Sequence, residues 1–287
     1  MVQSFKTLQF AGREFIMSDN WLSFVKMSGT GNDFVMINDM DLSLKTDLNK
    51  LALRLCHRRF GIGADGIILI EPATEADFTM RIFNSDGSEA EMCGNGSRCA
   101  AQFASSQGIA PGKMKFRTLA GIIEAELSAN GAAIKLTEPT GMRKDIPVNI
   151  KGIEYMAQFI NTGVPHAVLF TDDVESVSVK MLGSAIRYHE VFKPAGTNVN
   201  FVQVIDKGAI RVRTYERGVE DETLACGTGA AASALLSAAM QGVSGRPVKV
   251  IVPGGELMID FAFKDGLFKD VWLIGAVEAT FKGEVQL

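Results

Sequence analysis

The stretch Glu91-Met92-Cys93-Gly94-Asn95-Gly96 has a counterpart in the second half of the chain, Leu224-Ala225-Cys226-Gly227-Thr228-Gly229. Both stretches, here called the cysteine motifs, follow acidic residues and precede a run of small residues. Each run predicts a helix, over 97–107 in the first copy and 230–241 in the second. One copy alone is uninformative, but two copies indicate paired half-sites that place one thiol on each side of a substrate.

The predicted elements surround both cysteine motifs in one order: strands, turn, cysteine, helix, strands. Besides a helix at 47–58, strands are predicted at 22–27, 34–38, 66–71, 78–84, 113–118, 122–127, 133–136, 155–161, 167–170, 200–205, 210–215, 248–252, 257–263 and 271–281. The repeated order indicates a duplication with a boundary near 139–147. We therefore predict an α+β protein with an N-terminal extension at 1–22, an α/β half at 23–140 carrying Cys93 and an α/β half at 141–287 carrying Cys226. The cleft between the halves is the expected ligand site.

The composition excludes several classes of partner. The 287 residues carry a net charge of −4, which argues against nucleic acid and anionic membranes. Apolar runs such as 66–70 are too short to span a bilayer, and residues 1–20 lack the continuous apolar stretch of a signal peptide. Four cysteines do not make a disulfide framework in a chain of this size. We expect a cytoplasmic protein with reduced thiols.

A cysteine at a helix N-terminus feels the partial positive charge of unpaired backbone N–H groups, which favours the thiolate. The glycines that follow each cysteine let those N–H groups approach a carboxylate closely. If one thiol is ionised and the other is protonated, one removes a proton while the other delivers one to the opposite face, which inverts a carbon centre. This chemistry needs no metal or organic cofactor.

The remaining cysteines and the histidines have plainer interpretations. Cys56 and Cys99 are interpreted as small buried residues. A metal site is not expected, because the chain has no CxxC motif and its histidines, His57, His166 and His189, are scattered.

Six ordered motifs, spread over about 23–285, resemble those of the diaminopimelate epimerase family. They lie at 28–34, 61–66, 83–88 running into 92–96, 163–166, 196–201, and 215–218 running into 225–229. The resemblance implies a fold of two pseudo-symmetric halves, each a β-barrel-like sheet around a central helix. It also implies interconversion of LL- and meso-diaminopimelate without pyridoxal phosphate, in bacterial and plant lysine synthesis, by a homodimer.

The resemblance further implies the site residues. The catalytic residues would be the proton-transfer pair Cys93 and Cys226, with His166 near the reacting centre and Glu216. The substrate-binding positions would be Asn32, Asn84, Gly94, Asn95, Asn198, Glu216, Arg217, Gly227 and Thr228. Diaminopimelate carries two carboxylates and two ammonium groups. Arg217 suits a carboxylate, Glu216 suits an ammonium group, and the asparagines supply donors and acceptors.

Two positions depart from the family pattern. Val164 stands where many members have an asparagine, so the backbone, Asn161 or Thr162 must supply that contact. Gly66 stands where some members have a glutamine.

Simpler interpretations also remain open at this point. Asn32 and Asn198 suit turns, Glu216 and Arg217 suit a solvated pair, and His166 suits a strand cap. Three other functions are alternatives: a racemase or isomerase of the same fold with another carbon-acid substrate, a thiol redox protein, and a non-catalytic amino-acid binding module.

Overall fold

A computed structural model describes residues 6–10, 13–17, 21–129 and 131–287. The predicted extension contains an antiparallel pair, β1 (Lys6–Phe10) and β2 (Arg13–Met17), and its other residues up to 20 lie outside the described ones. The helices of the described part are α1 (Leu48–Cys56), α2 (Gly94–Ser106), α3 (Val179–Arg187) and α4 (Gly227–Met240). Across the described residues, no helix combines the length and the apolar character that crossing a bilayer requires.

Two equivalent sets of strands follow each other along the chain. The first set is β3 (Trp21–Gly29), β4 (Asn32–Asn38), β5 (Gly66–Glu71), β6 (Phe78–Asn84), β7 (Glu89–Ala90), β8 (Lys113–Thr118), β9 (Gly121–Ser128) and β10 (Gly131–Lys135). The second set is β11 (Thr140–Ile150), β12 (Ile153–Asn161), β13 (Pro165–Phe170), β14 (Asn198–Val204), β15 (Ala209–Glu216), β16 (Asp221–Thr223), β17 (Val248–Val252), β18 (Gly255–Lys264) and β19 (Leu267–Gly275), and the last strand is β20 (Glu278–Gln286).

The strand pairing repeats between the halves. In the first half β4 and β5 are parallel, β5 and β6 antiparallel, and β6 and β8 parallel. In the second half β13 and β14, β14 and β15, and β15 and β17 pair in the same three ways. Helices α1 and α3 occupy equivalent crossovers, as do α2 and α4. An antiparallel pairing of β10 with β19 joins the halves. This duplication confirms the predicted α+β fold.

The division of the chain at residue 140 stays a prediction, and the strand pairing departs from it in one respect. Strand β20 pairs with β3, as β11 pairs with β12, so the C-terminal strand completes the first half. A pairing between the two ends of the chain leaves no local signal in the sequence.

Each half has a hydrophobic core built around one helix. Ten of the fourteen residues of α4 are buried, and the strands β12–β15 and β17–β19 surround it. Helix α2 buries Ala100, Ala101 and Ala104 among residues of β3–β6, β9 and β10. A helix that is apolar on nearly all sides is expected inside a core rather than on its surface. The small side chains leave room for strands on every side.

Several element boundaries differ from the predictions. Helices α2 and α4 begin at Gly94 and Gly227, three residues before the predicted starts, because glycine is a weak helix former and hides the first turn. The predicted strand at 271–281 is two strands, β19 and β20. Strand β11 includes most of the predicted boundary between the halves, near 139–147, where no strand was predicted. Its Pro147 is tolerated because β11 pairs only with β12 and lies at a sheet edge.

The junction between the halves depends on a glycine at the start of β10. A Cβ on Gly131 (φ +124°) would lie 2.2 Å from the Gly275 carbonyl oxygen in β19. We expect Gly131→Ala to destabilise the protein by about 2 kcal/mol more than Gly121→Ala. Gly121 has a similar φ (+115°), but its Cβ would meet nothing within 4 Å. Urea unfolding of the two variants checks this, and equal stabilities would contradict the assigned junction.

Candidate active site

The N-termini of α2 and α4 converge on one leucine of β19. A Cβ on Gly94 would lie 2.9 Å from Leu273 Cδ2, and a Cβ on Gly227 would lie 2.6 Å from the same atom. The halves are also joined by a hydrogen bond from Asn95 Nδ2 to the Ala225 carbonyl oxygen, at 3.2 Å. The cysteine motifs therefore face each other where the halves meet.

Cys93 and Cys226 hold the N-cap positions of α2 and α4, both in extended backbone conformation. Cys226 is buried and Cys93 is half-buried. None of the four cysteines, all of which lie in the described ranges, forms a disulfide. The extended cap conformation turns each cysteine side chain to the end of its helix, where the backbone N–H groups are unpaired.

The helix N-terminus predicts a lowered thiol pKa, and the structure contradicts this for both cysteines. Burial raises the pKa of Cys93 and of Cys226, and the Glu216 carboxylate raises both further. Backbone N–H groups at the helix starts act in the opposite direction, but desolvation is the larger effect. The Glu216 carboxylate therefore acts electrostatically on both thiols. Burial also raises the pKa of Glu216 itself.

Asn32 lies against Cys93. Its Oδ1 is 3.6 Å from Cys93 Sγ and 3.4 Å from Asn95 Nδ2, while its Nδ2 donates to Asp65 Oδ2 at 2.6 Å. Arg58 in turn bonds Asp65 at 2.7 Å. The carboxylate of Asp65 therefore determines which end of the Asn32 amide faces the thiol.

His166 and Thr228 lie against Cys226. Thr228 Oγ1 is 3.5 Å from Cys226 Sγ and 3.0 Å from His166 Nε2. His166 is fully buried, and desolvation, with a smaller contribution from Arg217, lowers its pKa to about 3. The ring is therefore neutral at physiological pH.

Asn198 and Arg217 interact through the backbone. Asn198 Oδ1 accepts from the Arg217 backbone N–H at 2.8 Å, and Asn198 Nδ2 donates to the Pro165 carbonyl oxygen at 3.0 Å. The Arg217 guanidinium donates to the Ala195 carbonyl oxygen at 3.2 Å and lies close enough to His166 to affect its pKa. Asn198 thus positions the segment that carries Arg217.

Asn84 is the predicted site residue with the weakest link to the thiols. It is exposed at the end of β6, and its Nδ2 donates to Ser88 Oγ at 3.0 Å. Its partner across the ladder is Gly66, one of the two departures from the family pattern. No described contact joins Asn84 to either cysteine, so its role in binding stays a prediction.

The other departure, Val164, lies in the turn between β12 and β13. Thr162 Oγ1 donates to the Thr228 carbonyl oxygen at 3.0 Å, and Asn161 Oδ1 accepts from the Gly163 N–H at 2.9 Å. Thr162 therefore already bonds the second cysteine motif, and it is the nearer of the two candidates for the missing contact.

Two residues important to the site were not found from the sequence. Arg98, fully buried in α2, donates to Thr30 Oγ1 at 2.8 Å and to Asn95 Oδ1 at 3.0 Å, which ties the β3–β4 turn to the first cysteine motif. Asn200, also fully buried, bonds His166. The available signals were the helical spacing of Arg98 from Asn95 and the position of Asn200 on the same face of β14 as Asn198.

Cys56 and Cys99 are both buried, and desolvation raises the pKa of each to about 12. Both therefore stay protonated at physiological pH, as suits residues of the core.

The buried, neutral His166 predicts a loss of stability in acid. An unfolded histidine binds a proton below about pH 6.5, whereas folded His166 does not until about pH 3. Between these values the unfolded state binds more protons, so stability falls as pH falls. From pH 7 to pH 5 we expect His166 to contribute a loss of about 2 kcal/mol. Urea unfolding of the wild type and of His166→Gln checks this, and equal pH dependence in the two proteins would contradict it.

Solved structures with this fold include a phenazine biosynthesis protein and a probable proline racemase. The chain superimposes on a phenazine biosynthesis protein of the PhzF family from Bacillus anthracis with a TM-score of 0.70 and 12% identity, covering 93% of this chain and 99% of that one. A probable proline racemase from Agrobacterium radiobacter K84 gives a TM-score of 0.67 and 16% identity, covering 93% and 92%. At these identities the likeness shows the fold alone, which is the two-half fold shared by these proteins.

Sequence comparison gives a finer assignment. The family model described as diaminopimelate epimerase matches residues 24–142 and 158–269. A diaminopimelate epimerase from Aquifex aeolicus is 48% identical over 275 residues, covering 92% of this chain and 98% of the relative. A diaminopimelate epimerase from Hydrogenobaculum sp. is 44% identical, covering 90% and 96%. The chain belongs to the diaminopimelate epimerase family.

Proposed function

We propose that this protein interconverts LL- and meso-diaminopimelate, with Cys93 and Cys226 transferring protons on opposite faces of one α-carbon. The observation that carries the proposal is the convergence of the two cysteine-headed helix N-termini on Leu273. The relatives that match nearly the whole chain carry the same activity in their names. One thiolate takes the α-proton, and the opposing thiol gives its proton to the other face of the carbanion.

Helix N-termini supply the electrostatic part of the reaction. Removing the α-proton places negative charge on the adjacent carboxylate, and two sets of backbone N–H groups at Gly94–Asn95 and Gly227–Thr228 stabilise it. No side chain has to move to form these hydrogen bonds, because the helices already fix the N–H groups in place. Arg217 binds the distal carboxylate, and the asparagines supply the remaining donors and acceptors.

Glu216 links substrate binding to ionisation of the thiols. Its carboxylate raises the pKa of both thiols, so it opposes the thiolate that the reaction needs. An ammonium group of the substrate that pairs with Glu216 cancels this effect and adds a positive charge next to the sulfurs. The thiolate is therefore favoured at the moment when the substrate is present.

A substrate panel tests the proposed function. Purified protein is incubated with LL-diaminopimelate, with L-lysine, which lacks the second carboxylate, and with L-proline, and the isomers are separated by chiral chromatography. We expect inversion of diaminopimelate alone. Inversion of proline with no action on diaminopimelate would instead support a racemase of the same fold. A turnover that consumes reductant would support the thiol redox alternative.

The family resemblance also supports a homodimer, and the unpaired cysteines suit the reducing cytoplasm. Sedimentation equilibrium tests the first of these proposals, because a homodimer has twice the 31.0 kDa mass of the chain.

A further inference from the structure

The amide of Asn200 determines which nitrogen of His166 carries the proton. Asn200 Nδ2 lies 3.0 Å from the Ala167 carbonyl oxygen, which only accepts hydrogen bonds, and Asn200 Oδ1 accepts from Thr214 Oγ1 at 2.9 Å. These two bonds fix the orientation of the amide. Its second N–H points to His166 Nδ1 at 3.1 Å, so Nδ1 is the acceptor and the ring proton is on Nε2.

The histidine in turn orients a hydroxyl group toward Cys226. The Nε2–H of His166 donates to Thr228 Oγ1 at 3.0 Å. In this hydrogen bond the hydroxyl oxygen of Thr228 is the acceptor. The hydroxyl proton of Thr228 is then available to Cys226 Sγ at 3.5 Å. An O–H donor favours a thiolate over a thiol. We call the chain Asn200–His166–Thr228 the relay.

Cys93 has the opposite kind of neighbour. Asn32 presents its carbonyl oxygen to Cys93 Sγ, because its nitrogen donates to the carboxylate of Asp65. A carbonyl oxygen accepts a hydrogen bond from S–H and repels a negatively charged sulfur. The contact therefore favours the protonated form of Cys93.

The duplicated fold shows that the relay is specific to the second half. By strand order and register, Phe34 of β4 and Ile68 of β5 occupy the positions that His166 and Asn200 occupy in β13 and β14. Both apolar side chains approach the first cysteine motif, with Ile68 Cδ1 and Phe34 Cζ at 2.9 and 3.4 Å from a Cβ built on Gly96. The first half therefore packs apolar side chains against its cysteine motif, whereas the second half contacts its cysteine motif through the hydrogen bonds of the relay.

Charged groups also act on the thiols. Glu216 opposes the thiolate at both cysteines, and a charge on Cys93 also opposes ionisation of Cys226. Arg98 favours a Cys93 thiolate by its charge, but its guanidinium nitrogens donate to Thr30, Asn95 and Gly94 oxygens. Backbone N–H groups of Gly96 and Asn95 favour a Cys93 thiolate, and the backbone N–H of Gly229 favours a Cys226 thiolate. The side-chain contacts differ in kind between the two sites, with a hydroxyl group at Cys226 and a carbonyl oxygen at Cys93.

We propose that the two thiols are unequal before substrate binds: the relay makes Cys226 the thiol that ionises first, while Asn32 keeps Cys93 protonated. Asn200 is then a positioning residue that acts through His166 and Thr228. The consequence for catalysis rests on the proposed function. For the isomer whose α-hydrogen faces Cys226, Cys226 takes the α-proton as the Cα–H bond breaks, and the Cys93 proton forms the new Cα–H bond, which leaves Cys93 as the thiolate. The other isomer reacts by the reverse of this step, from the state in which Cys93 is ionised and Cys226 is protonated. The pair then returns to its starting state by exchanging protons with solvent.

Alkylation without substrate tests the inequality. Protein is treated with iodoacetamide from pH 6 to pH 10, and peptide mass spectrometry gives a rate constant for each cysteine. We expect Cys226 to react about 10-fold faster than Cys93, because an O–H donor stabilises its thiolate. Exposure alone predicts the reverse, since Cys93 is half-buried and Cys226 is buried. Faster reaction of Cys93 would overturn the proposal.

Variants of the relay identify its cause. Thr228→Val and Asn200→Leu should each slow alkylation of Cys226 about 10-fold. Thr228→Ser keeps the hydroxyl group, so its Cys226 should react at the wild-type rate. Thr118→Val is the matched control, because Thr118 is a buried threonine of β8 whose hydroxyl donates to the Gly121 carbonyl oxygen and makes no described contact with the relay or with Cys226. An unchanged Cys226 rate in folded Thr228→Val would refute the relay.

A second measurement avoids changes to the relay. The thiolate absorbance near 240 nm should appear at lower pH in Cys93→Ala, which retains Cys226, than in Cys226→Ala, and the reverse order would also refute the proposal. Neither experiment uses substrate, so a protein inactive on diaminopimelate would refute the proposed function and leave this inference standing.

Discussion

Replacing either Cys93 or Cys226 with alanine should abolish conversion of LL- to meso-diaminopimelate. In the proposed mechanism each variant lacks the proton acceptor or the proton donor on one face of the α-carbon, and one positioned acid or base contributes about 10²- to 10⁴-fold in rate. The remaining thiol reaches only its own face, so it cannot replace its partner. Chiral chromatography of the diaminopimelate isomers measures the loss.

Cys56→Ala is the matched control for these variants. Cys56 is also a buried thiol near a helix end, but it packs in a separate cluster with Leu51, Leu55 and Phe83. This variant should remain active. Inversion by Cys93→Ala or Cys226→Ala at more than a tenth of the wild-type rate would contradict the assignment of the pair.

Arg217→Met should raise KM for LL-diaminopimelate about 10- to 150-fold, with a smaller change in kcat. A charge-assisted hydrogen bond is worth about 1.5–3 kcal/mol, and we propose that the guanidinium group binds the distal carboxylate, away from the reacting carbon. Methionine keeps much of the side-chain volume and removes the charge. Steady-state kinetics give the two constants separately.

Arg143→Met provides the control for Arg217→Met. Arg143 lies on β11, where its guanidinium stacks over the Phe159 ring at 4.4 Å, and it makes no described contact with the cysteine motifs. The KM of the Arg143→Met variant for LL-diaminopimelate should stay at the wild-type value. An unchanged KM in Arg217→Met would show that the second carboxylate is bound elsewhere, and a Thr162 variant would then be the next to examine.

The sequence alone predicted the duplicated α+β fold and the two cysteine motifs, because each depends on local patterns that occur twice. The helix starts at Gly94 and Gly227 were missed because glycine has a low helix propensity. The first turn of each helix is stabilised by tertiary contacts, which the sequence pattern does not show. The pairing of β20 with β3 was also missed, because it joins the two ends of the chain.

The site residues named from the sequence stay predictions, whereas the lowered thiol pKa expected for the two cysteines was wrong. A cysteine at a helix start predicts a lowered pKa, and only the folded structure shows that burial outweighs this effect at Cys93 and Cys226. The relay was equally hidden. Asn200 on β14 bonds His166 on the neighbouring parallel strand β13. The identity of either residue alone does not show whether it belongs to a hydrogen-bonded relay or to the packed core. Arg98 was missed because its partners, Thr30 and Asn95, meet only when the β3–β4 turn folds over α2.

Deuterium labelling tests the central claim of two thiols on opposite faces of one carbon most directly. Protein is incubated with LL-diaminopimelate in D₂O, and at low conversion the α-carbons of the product and of the remaining substrate are compared by mass spectrometry. The account predicts meso-diaminopimelate that carries one solvent deuterium at the inverted carbon, with almost none in the remaining LL isomer. Equal labelling of both isomers at early times would indicate a single base that serves both faces, and would contradict the account.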